Sequence, residues 1–363
     1  MRVKLEDVCE RGSSNIKQSD IIKMSGNYPI YGASGLAGKV NFYHQEQPYV
    51  AVVKDGAGIG RTTLNPAKSS VIGTMQYLIP KKNVLPEYLF YVVSYMHLEK
   101  YYTGATIPHI YFKDYKNEEF NLDNIEKQLE IIDVLGRCKK VIEARKQELV
   151  ELDSLTKARF VEMFGDPRSN PFGFEKKRLK DTCKVITGNT PSRAIEEYYG
   201  DYIEWIKTDN IVSGILNPTQ ATESLSEKGM NVGRTVENDS ILMACIAGSI
   251  ASIGRVCITD RTVAFNQQIN AVVPEQYNIL FLYVLFQMSK DYLVEDINMA
   301  LKGILSKSKL EEKEFIIPPM DLQEQFSDFV KQVDKSKFDT MTFAPIYAII
   351  NLYLHTYFYQ GRR

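Results

Sequence analysis

Hydrophobic and polar positions along the chain follow one succession of patterns twice. Short apolar, β-branched runs bounded by Gly, Pro and Asn predict strands and turns, and residues 49–53 and 240–244 are the clearest of them. Aromatic-rich stretches at 87–100 and 279–292 then predict helices. Each stretch is followed by a polar segment that leads into a further helix. The pattern therefore predicts two domains of related structure.

The repeat extends to individual residues. Residues 5–9 match 179–183, residues 58–61 match 252–255, and residues 86–91 match 278–283. A Glu-Phe pair at 119–120 is matched by one at 314–315, and a Gln follows eight residues after each Phe. The offset grows from 174 to 195 residues, so the second copy is about 20 residues longer. Four matches in the same order indicate an internal duplication.

A long helix is predicted between the copies. Residues 124–164 contain no Pro and a single Gly, and apolar side chains recur there at spacings of three and four. The stripe consists of Ile131, Leu135, Cys138, Ile142, Leu149 and Leu152, with Arg145 as a polar interruption. Such a helix is about 60 Å long, and the Gly-Asp-Pro at 165–167 ends it. The stripe favours a coiled-coil-like pair with a second helix at 322–338, and an ordinary long core helix is the alternative.

Composition is that of a soluble globular protein with two to three domains. The chain has 363 residues, of which 44% are hydrophobic and 25% charged, and this excludes wholesale disorder. Five widely spaced cysteines without a C-x-x-C pair disfavour a zinc site or a disulfide framework and fit reduced thiols in the cytoplasm. The N-terminus lacks the apolar region of a signal peptide. The apolar run 343–359 is shorter than the ~20 residues of a membrane span.

No segment of the chain matches the sequence motifs of the enzyme classes that we compared with it. The Gly32–Lys39 stretch has five residues between its glycines and Val40 after the lysine, which breaks the phosphate-loop pattern. The glycines at 56–60 are followed by a segment that cannot continue as the helix of a dinucleotide fold. The one Pro-Pro pair lacks the context of an amino-methyltransferase, and the Glu-Lys triplets at 175–177 and 311–313 lack that of a nuclease. Scattered histidines offer no nucleophile arrangement. We therefore predict neither a catalytic site nor a metal or cofactor on this chain.

Polar and aromatic residues on the Gly-rich loops of both copies form a candidate recognition surface. Arg pairs well with guanine edges, Asn and Gln with adenine, and Thr or Lys with phosphate. Any single one is more typical of a turn or a solvated surface, so the prediction depends on the set. The candidates in the first copy are Tyr31, Ser34, Lys54, Arg61, Thr62, Thr63, Thr106 and His109. Those in the second copy are Thr190, Ser192, Arg193, Trp205, Lys207, Thr208, Asn210, Arg255, Asn266, Gln267, Gln268 and Lys302.

With these motifs in place, the chain resembles the specificity (S) subunits of type I restriction-modification enzymes. Tyr-Pro-Ile-Tyr-Gly-Ala-Ser-Gly at 28–35 looks like the opening of one kind of target-recognition domain in that family. Thr-Gly-Asn-Thr-Pro-Ser at 187–192, with Trp-Ile-Lys-Thr at 205–208, looks like the opening of another. Residues 315–325 and 155–167 are similar to the family's junctions between recognition domains and conserved helices. The likeness covers about residues 1–338.

The resemblance implies an α+β fold with two related mixed α/β target-recognition domains, 1–124 and 167–315. Long antiparallel coiled-coil-like helices separate them, the central one at 125–166 and the start of the second at 316–338. It also implies a non-catalytic subunit that reads a bipartite double-stranded DNA target and docks methyltransferase (M) subunits, two in number, on its helical spacer. Motor-nuclease (R) subunits join for cleavage. S-adenosylmethionine, ATP and Mg are expected on those partners only, and no membrane is involved.

One departure from the family lies at the end of the chain. Where the family continues with a charged amphipathic helix, residues 339–363 are apolar and tyrosine-rich. Such an end fits either a recombined terminus or a short tail that packs on the long helix. Three rivals are also considered: a fused single-chain enzyme, disfavoured by the missing methylase motif, a two-headed adaptor that binds protein or glycan, and a solo enzyme, disfavoured by the absence of catalytic motifs.

The charge balance limits the size of any basic surface with which such a chain could bind DNA. Net charge is −1, with 44 basic and 45 acidic side chains. Residues 1–125 carry 14 basic and 12 acidic groups, and residues 171–315 carry 16 and 19. A basic surface must therefore be a local patch, and we expect the isolated subunit to bind DNA weakly.

Overall fold

The computed structural model describes residues 1–104, 108–295, 297, 303–341, 354 and 356–359. The chain divides into two compact units. Unit 1 comprises residues 1–145 together with the described residues from Met341 onward, and unit 2 comprises Lys146–Thr340. A 40-residue helix crosses from the first unit into the second.

Among its described residues, unit 1 contains three small sheets, several short helices and the first half of a long helix. Its elements are β1 (Arg2–Lys4), α1 (Leu5–Val8), β2 (Cys9–Ser13), α2 (Gln18–Ile21), β3 (Tyr28–Gly32), β4 (Gly35–Val40), β5 (Tyr49–Val53), β6 (Thr62–Asn65), β7 (Ser70–Val71), β8 (Met75–Pro80), α3 (Pro86–Ser94), α4 (Phe112–Tyr115), β9 (Glu119–Asn121) and the first half of α5 (Ile125–Phe164). The largest sheet is antiparallel with the order β2-β8-β5-β6. A second sheet has the order β4-β3-β7, in which β3 and β7 are parallel, and β1 pairs with β9.

Unit 2 follows the same plan with additional strands. Its elements are the second half of α5, β10 (Lys176–Arg178), β11 (Cys183–Thr187), β12 (Tyr199–Gly200), β13 (Ile203–Ile206), β14 (Ser224–Leu225), α6 (Glu227–Val232), β15 (Thr235–Val236), β16 (Ile241–Ala244), β17 (Val256–Ile258), β18 (Val263–Phe265), β19 (Ile269–Pro274), α7 (Ile279–Met288), α8 (Lys290–Val294), α9 (Lys307–Glu312), β20 (Glu314–Ile316) and α10 (Met320–Met341). Its sheets have the orders β11-β19-β16-β17, β12-β14-β13-β18-β15 and β10-β20. Strands β13 and β18 are parallel.

The two units repeat each other strand by strand. The order β2-β8-β5-β6 corresponds to β11-β19-β16-β17, the parallel pair β3–β7 to β13–β18, and the pair β1–β9 to β10–β20. The extra residues of the second copy include β12, β14, α6 and β15. The predicted α+β duplication is therefore confirmed.

Apolar helices close the core of each unit. In unit 2, α7 buries seven consecutive residues from Leu280 to Phe286, and the Asn278 side chain accepts a hydrogen bond from the Leu280 N–H at 3.0 Å to cap its start. In unit 1, α3 starts at Pro86, where a missing N–H costs nothing. Both helices are shorter than predicted. Helix α3 ends at Ser94 before His97 takes a left-handed φ of +52°, and α7 ends at Met288 before a separate α8.

A buried glutamine fixes the start of each of these helices. The Gln128 side chain accepts from the Leu85 N–H at 2.9 Å and donates to the Asp123 carbonyl at 2.9 Å. The Gln323 side chain accepts from the Asn278 N–H at 2.9 Å and donates to the Pro318 carbonyl at 2.7 Å. Both glutamines are fully buried. The repeated Glu-Phe-(x)₇-Gln pattern in the sequence therefore places a helix-anchoring side chain in each copy.

Helices α5 and α10 pack against each other in unit 2 in opposite directions. Lys337 near the end of α10 pairs with Asp153 at 2.6 Å, whereas Phe326 near its start contacts Phe160 at a ring-centroid distance of 5.5 Å. Partners later on one helix are thus earlier on the other, which is the antiparallel arrangement. The predicted coiled-coil-like pair is confirmed, and α10 starts two residues before the prediction and ends three residues after it.

The end of the chain completes the core of unit 1. Phe358 is fully buried and meets the Tyr88 ring edge-on at 5.5 Å, and the backbone carbonyl of Tyr357 accepts from Asn121 at 3.0 Å. In unit 2, Phe164 meets Phe281 in the same way at 4.9 Å. These described tail residues share an apolar cluster with Ile131, Ile132 and Leu135 of α5.

Candidate functional site

Each unit contains a tight turn that presents an arginine from the predicted set. In unit 1 the turn joins β5 to β6, where the Gly60 N–H bonds to the Val53 carbonyl at 2.9 Å and the Val53 N–H to the Arg61 carbonyl at 2.9 Å. Gly60 has a φ of +81°, and a Cβ there would lie 2.8 Å from the Glu99 nitrogen. Only glycine fits this position, and the exposed Arg61 follows directly.

The equivalent turn in unit 2 joins β16 to β17. The Gly254 N–H bonds to the Ala244 carbonyl at 2.8 Å, and the Ala244 N–H bonds to the Arg255 carbonyl at 2.9 Å. Gly254 has a φ of +77°. The aligned segments 58–61 and 252–255 therefore form turns with the same hydrogen-bond pattern, and we refer to them as the arginine turns.

Both arginines hold the segment that follows the parallel strand of their unit. Arg61 Nη1 donates to the Ala33 carbonyl at 3.1 Å, just after β3. Arg255 Nη2 donates to the Thr208 carbonyl at 3.3 Å, just after β13. Each guanidinium has five N–H donors in a rigid fork. An arginine held at one edge in this way can present its remaining donors in a fixed direction.

Other candidates of unit 1 lie around this turn. Lys54 and His109 are both bonded to Asp55, with 2.7 Å between His109 Nδ1 and the carboxylate. Ser34 is exposed in the hairpin between β3 and β4, and Tyr31 is half-buried on β3. On β6, the Thr62 hydroxyl donates to the Gly60 carbonyl at 3.3 Å, and the Thr63 hydroxyl donates to the Ala51 carbonyl at 3.4 Å. Thr106 lies outside the described residues.

The candidates of unit 2 concentrate around one aromatic pair. The Arg193 guanidinium lies 4.3 Å above the Tyr199 ring and 5.2 Å from the Trp205 ring, and Lys207 lies 5.1 Å from Trp205. Glu223 binds both cations, with 2.6 Å to Arg193 Nη2. We call Arg193, Tyr199, Trp205, Lys207 and Glu223 the cation cluster.

Hydrogen bonds from Lys207 and Arg193 lower the pKa of Glu223 below its ordinary value. The carboxylate therefore stays ionised between its two cations. Trp205 itself is 3% exposed, and its indole N–H donates to the Asn189 carbonyl at 3.3 Å. In this structure the Trp205 ring packs against the two cations and is shielded from solvent.

Several of the remaining candidates of unit 2 form hydrogen bonds within or between loops. Thr190 is exposed and bonds to Gln267, while Asn266 is buried and its Nδ2 donates to Gln268 at 3.2 Å. The Asn210 carboxamide accepts from the Lys207 N–H at 3.0 Å. Ser192 is exposed and Thr208 half-buried, and Lys302 lies outside the described residues.

Acidic residues of the site were missed by the sequence analysis. Glu223 joins two candidate cations in unit 2, and Asp55 joins Lys54 and His109 in unit 1. Asp55 is adjacent to a candidate in sequence, but Glu223 is 16 residues from Lys207 and carries no motif. Its neighbour Ser224 pairs with Glu204 across β13 and β14, and this pairing brings it to the cluster.

Neither a metal site nor a reactive thiol is apparent in the described part of the chain. Within it, no three His, Cys, Asp or Glu side chains lie close enough together to hold a metal ion. All five cysteines are free, and burial raises the pKa of Cys9, Cys183, Cys245 and Cys257 to about 12. Among the same residues, no helix has the length and apolarity needed to cross a membrane.

Two curated proteins that resemble this chain in sequence are both specificity subunits of type I restriction enzymes. The chain is 35% identical over 117 residues to the type I restriction enzyme HindI specificity subunit of Haemophilus influenzae, a match that covers 31% of this chain and 24% of the relative. It is 25% identical over 281 residues to the MjaIX specificity subunit of Methanocaldococcus jannaschii, covering 70% of this chain and 63% of the relative. Each match therefore spans less than two thirds of the curated relative's length.

The fold is that of a known S subunit. The crystal structure of a type I restriction-modification system S subunit from M. genitalium superposes with a TM-score of 0.64 at 14% identity, covering 98% of this chain and 95% of the other. The family model for the type I restriction modification DNA specificity domain matches residues 1–153 and 171–346, one match for each copy of the repeat. The chain therefore belongs to the type I restriction modification DNA specificity domain family.

Proposed function

We propose that this chain is the DNA-specificity subunit of a type I restriction-modification complex and reads a bipartite double-stranded DNA sequence. The observation that carries the proposal is the duplication of the arginine turn, with Arg61 and Arg255 at equivalent positions of two similar units. Two units of similar structure suit a DNA target made of two half-sites. The family membership supports the same function.

Around each turn, side chains suited to both kinds of DNA contact lie on loops. Arginine reads guanine edges, amides read adenine, and threonine or lysine positions phosphate. We propose the described members of the sequence-predicted set as these contacts, with Arg61, Lys54 and His109 foremost in unit 1. In unit 2, Arg255, Arg193 and Lys207 are foremost.

In this proposal the chain is non-catalytic and acts through partners. Methyltransferase subunits, two per chain, dock on α5 and α10, bind S-adenosylmethionine and methylate the DNA. Motor-nuclease subunits supply cleavage with ATP and Mg. The complex acts in the cytoplasm, in agreement with five free cysteines.

Selection from a randomised duplex library with the full-length chain, alone and with its methyltransferase partner, tests the proposal. We expect two fixed half-sites separated by a constant gap of unread bases. Binding without any preference for a split sequence would contradict the proposal. Absence of salt-dependent DNA affinity, with capture of a protein or glycan instead, would favour the two-headed adaptor.

A further inference from the structure

Glu223 binds two cations within the proposed recognition surface of unit 2. Its carboxylate lies 2.6 Å from Arg193 Nη2 and also binds the Lys207 ammonium. The three side chains together carry a single positive charge, where the two cations alone would carry two. All three are accessible, with exposed fractions of 36% for Glu223, 55% for Arg193 and 30% for Lys207.

The geometry of this arrangement is fixed by its surroundings. The backbone N–H of Trp205 donates to the Glu223 carbonyl at 3.1 Å, which ties Glu223 to β13. Tyr199 and Trp205 meet edge to face at 6.1 Å and lie under the Arg193 guanidinium. The carboxylate and its cations are therefore held together before any ligand arrives.

Unit 1 also has a carboxylate that binds two candidate side chains beside its own arginine turn. Asp55 binds Lys54 and lies 2.7 Å from His109 Nδ1. A chain with no net basic excess thus also pairs its proposed DNA-contacting side chains internally in both units. Binding to a phosphate must displace these carboxylates, and that exchange lowers the affinity for any DNA that offers phosphates alone.

We propose that Glu223 is a specificity-determining residue that competes with DNA phosphates for Arg193 and Lys207. Only a duplex that offers base acceptors in addition to its phosphates, such as the edge of a correctly placed guanine, displaces it. Asp55 has the same role toward Lys54 and His109. The proposal rests on the proposed function, because it assigns a role within the same DNA-binding surface.

The test compares E223Q with a matched control, E312Q, in the full-length chain. Glu312 also binds two cations of unit 2, Lys180 and, at 3.4 Å, Arg178, but it lies at the end of α9 beside the β10–β20 pair and outside the arginine turn and the cation cluster. Both substitutions remove one negative charge from a carboxylate that binds two cations, although Arg178 keeps its pair with Asp181 in E312Q. They differ in whether the released cations belong to the proposed recognition surface.

Affinity for a labelled random-sequence duplex and for the selected target duplex is measured across a KCl series. E223Q should tighten binding to the random duplex severalfold and steepen its log–log salt dependence by about 0.9 for each cation released to a phosphate. The ratio of target to random affinity should fall. E312Q should have the same affinity for both duplexes and the same salt dependence as the wild-type chain. Replacing Arg193 with alanine in the E223Q background should return the salt slope toward its original value.

Equal behaviour of E223Q and E312Q, or an unchanged salt slope in E223Q with unfolding temperature preserved, would overturn this inference. The wild-type chain's preference for a split sequence would then still support the proposed function. If the wild-type chain has no such preference, the proposed function and this inference both fail.

Discussion

At the residue scale, the two arginine turns show how a short repeated motif becomes a positioned side chain. Gly60 and Gly254 have left-handed backbones that a side chain would strain, and the arginine after each one bonds to a carbonyl beyond a parallel strand. The glycine sets the path of the chain, and the arginine joins two loops that the sheet brings together. Side chains held this firmly are suited to reading a base edge.

Replacing Arg61 or Arg255 with alanine should weaken binding to the selected duplex by about tenfold or more, since a bidentate base contact contributes roughly 1–3 kcal/mol. Fluorescence anisotropy with the full-length chain measures the loss. R137A, which removes an exposed arginine paired with Asp133 on α5, is the control and should bind as the wild type does. Loss of affinity in all three variants to the same extent would argue against a specific role for the turns.

Asp334 on α10 gives a prediction about pH. Burial raises its pKa, although Lys337 lies 3.5 Å away and opposes the shift. The folded state therefore holds a proton more tightly than the unfolded state, and the unfolding free energy falls as pH rises from the ordinary carboxyl pKa through the raised one. D334N should unfold at a higher temperature than the wild type near neutral pH.

That difference should disappear at acidic pH, below both pKa values. The exposed D328N, on the same helix, should show no gain at either pH. Thermal unfolding followed by circular dichroism measures both variants, and an equal gain in D328N would assign the effect to net charge instead of burial.

At the element scale, each unit uses a buried glutamine to fix the start of a helix. Gln128 and Gln323 each satisfy one backbone N–H and at least one carbonyl that the protein hides from water. Unpaired buried groups are costly. The glutamines therefore hold α3 and α7 in register with α5 and α10, and the sheet faces covered by those helices depend on them.

Replacing either glutamine with methionine keeps the volume but removes its side-chain hydrogen bonds, three for Gln128 and two for Gln323, so each variant should lose about 2 kcal/mol of stability or more. Q147M changes an exposed glutamine on α5 and should have little effect. Calorimetry gives the unfolding temperatures. A small change in Q128M and Q323M would mean that water replaces the amide at these positions.

At the scale of the whole molecule, both ends of the chain contribute to unit 1. The N-terminal ammonium of Met1 donates to the Leu122 carbonyl at 2.9 Å, and Phe358 lies in the same core as Tyr88. Unit 2 takes the corresponding phenylalanine, Phe164, from the end of α5. The apolar tail is thus the counterpart, in unit 1, of a segment that lies between the two copies in the sequence.

Replacing Phe358 with alanine should destabilise unit 1 by about 3–5 kcal/mol, as expected when a buried aromatic ring is removed. Hydrogen exchange should rise in α3 while the amides of α7 keep their protection. F172A removes an exposed phenylalanine of unit 2 and serves as the control. Equal loss of protection in both units would show that they unfold together.

A change in the length of α5 tests the proposed spacer. Inserting seven residues between Gln147 and Asp153 adds about 10 Å of helix and keeps its apolar face in phase. The unread gap in the selected DNA target should grow by about three base pairs, given 3.4 Å per step. Deleting seven residues should shorten it. A gap that stays constant in both variants would contradict a spacer role for the helix.

The repeated architecture of the molecule could be predicted from the sequence, but the burial and pairing of side chains in its loops could not. Matching segments such as 58–61 and 252–255 predicted equivalent turns because glycine positions report backbone geometry directly. The end of α3 was missed because no Gly or Pro marks His97 as the residue that turns left-handed. The burial of Trp205 and Asn266 and the pairing of Glu223 depend on contacts between distant loops. A polar residue in a loop carries no local signal of such contacts.

The use by unit 1 of residues that follow unit 2 in the sequence has a consequence for synthesis on the ribosome. Unit 2 is encoded by one continuous segment, residues 146–340, so its residues are all synthesised before Leu354 and Phe358. Unit 1 begins to be translated first, yet Leu354 and Phe358 of its core are translated only after the whole of unit 2. The unit whose synthesis begins first therefore receives part of its core last.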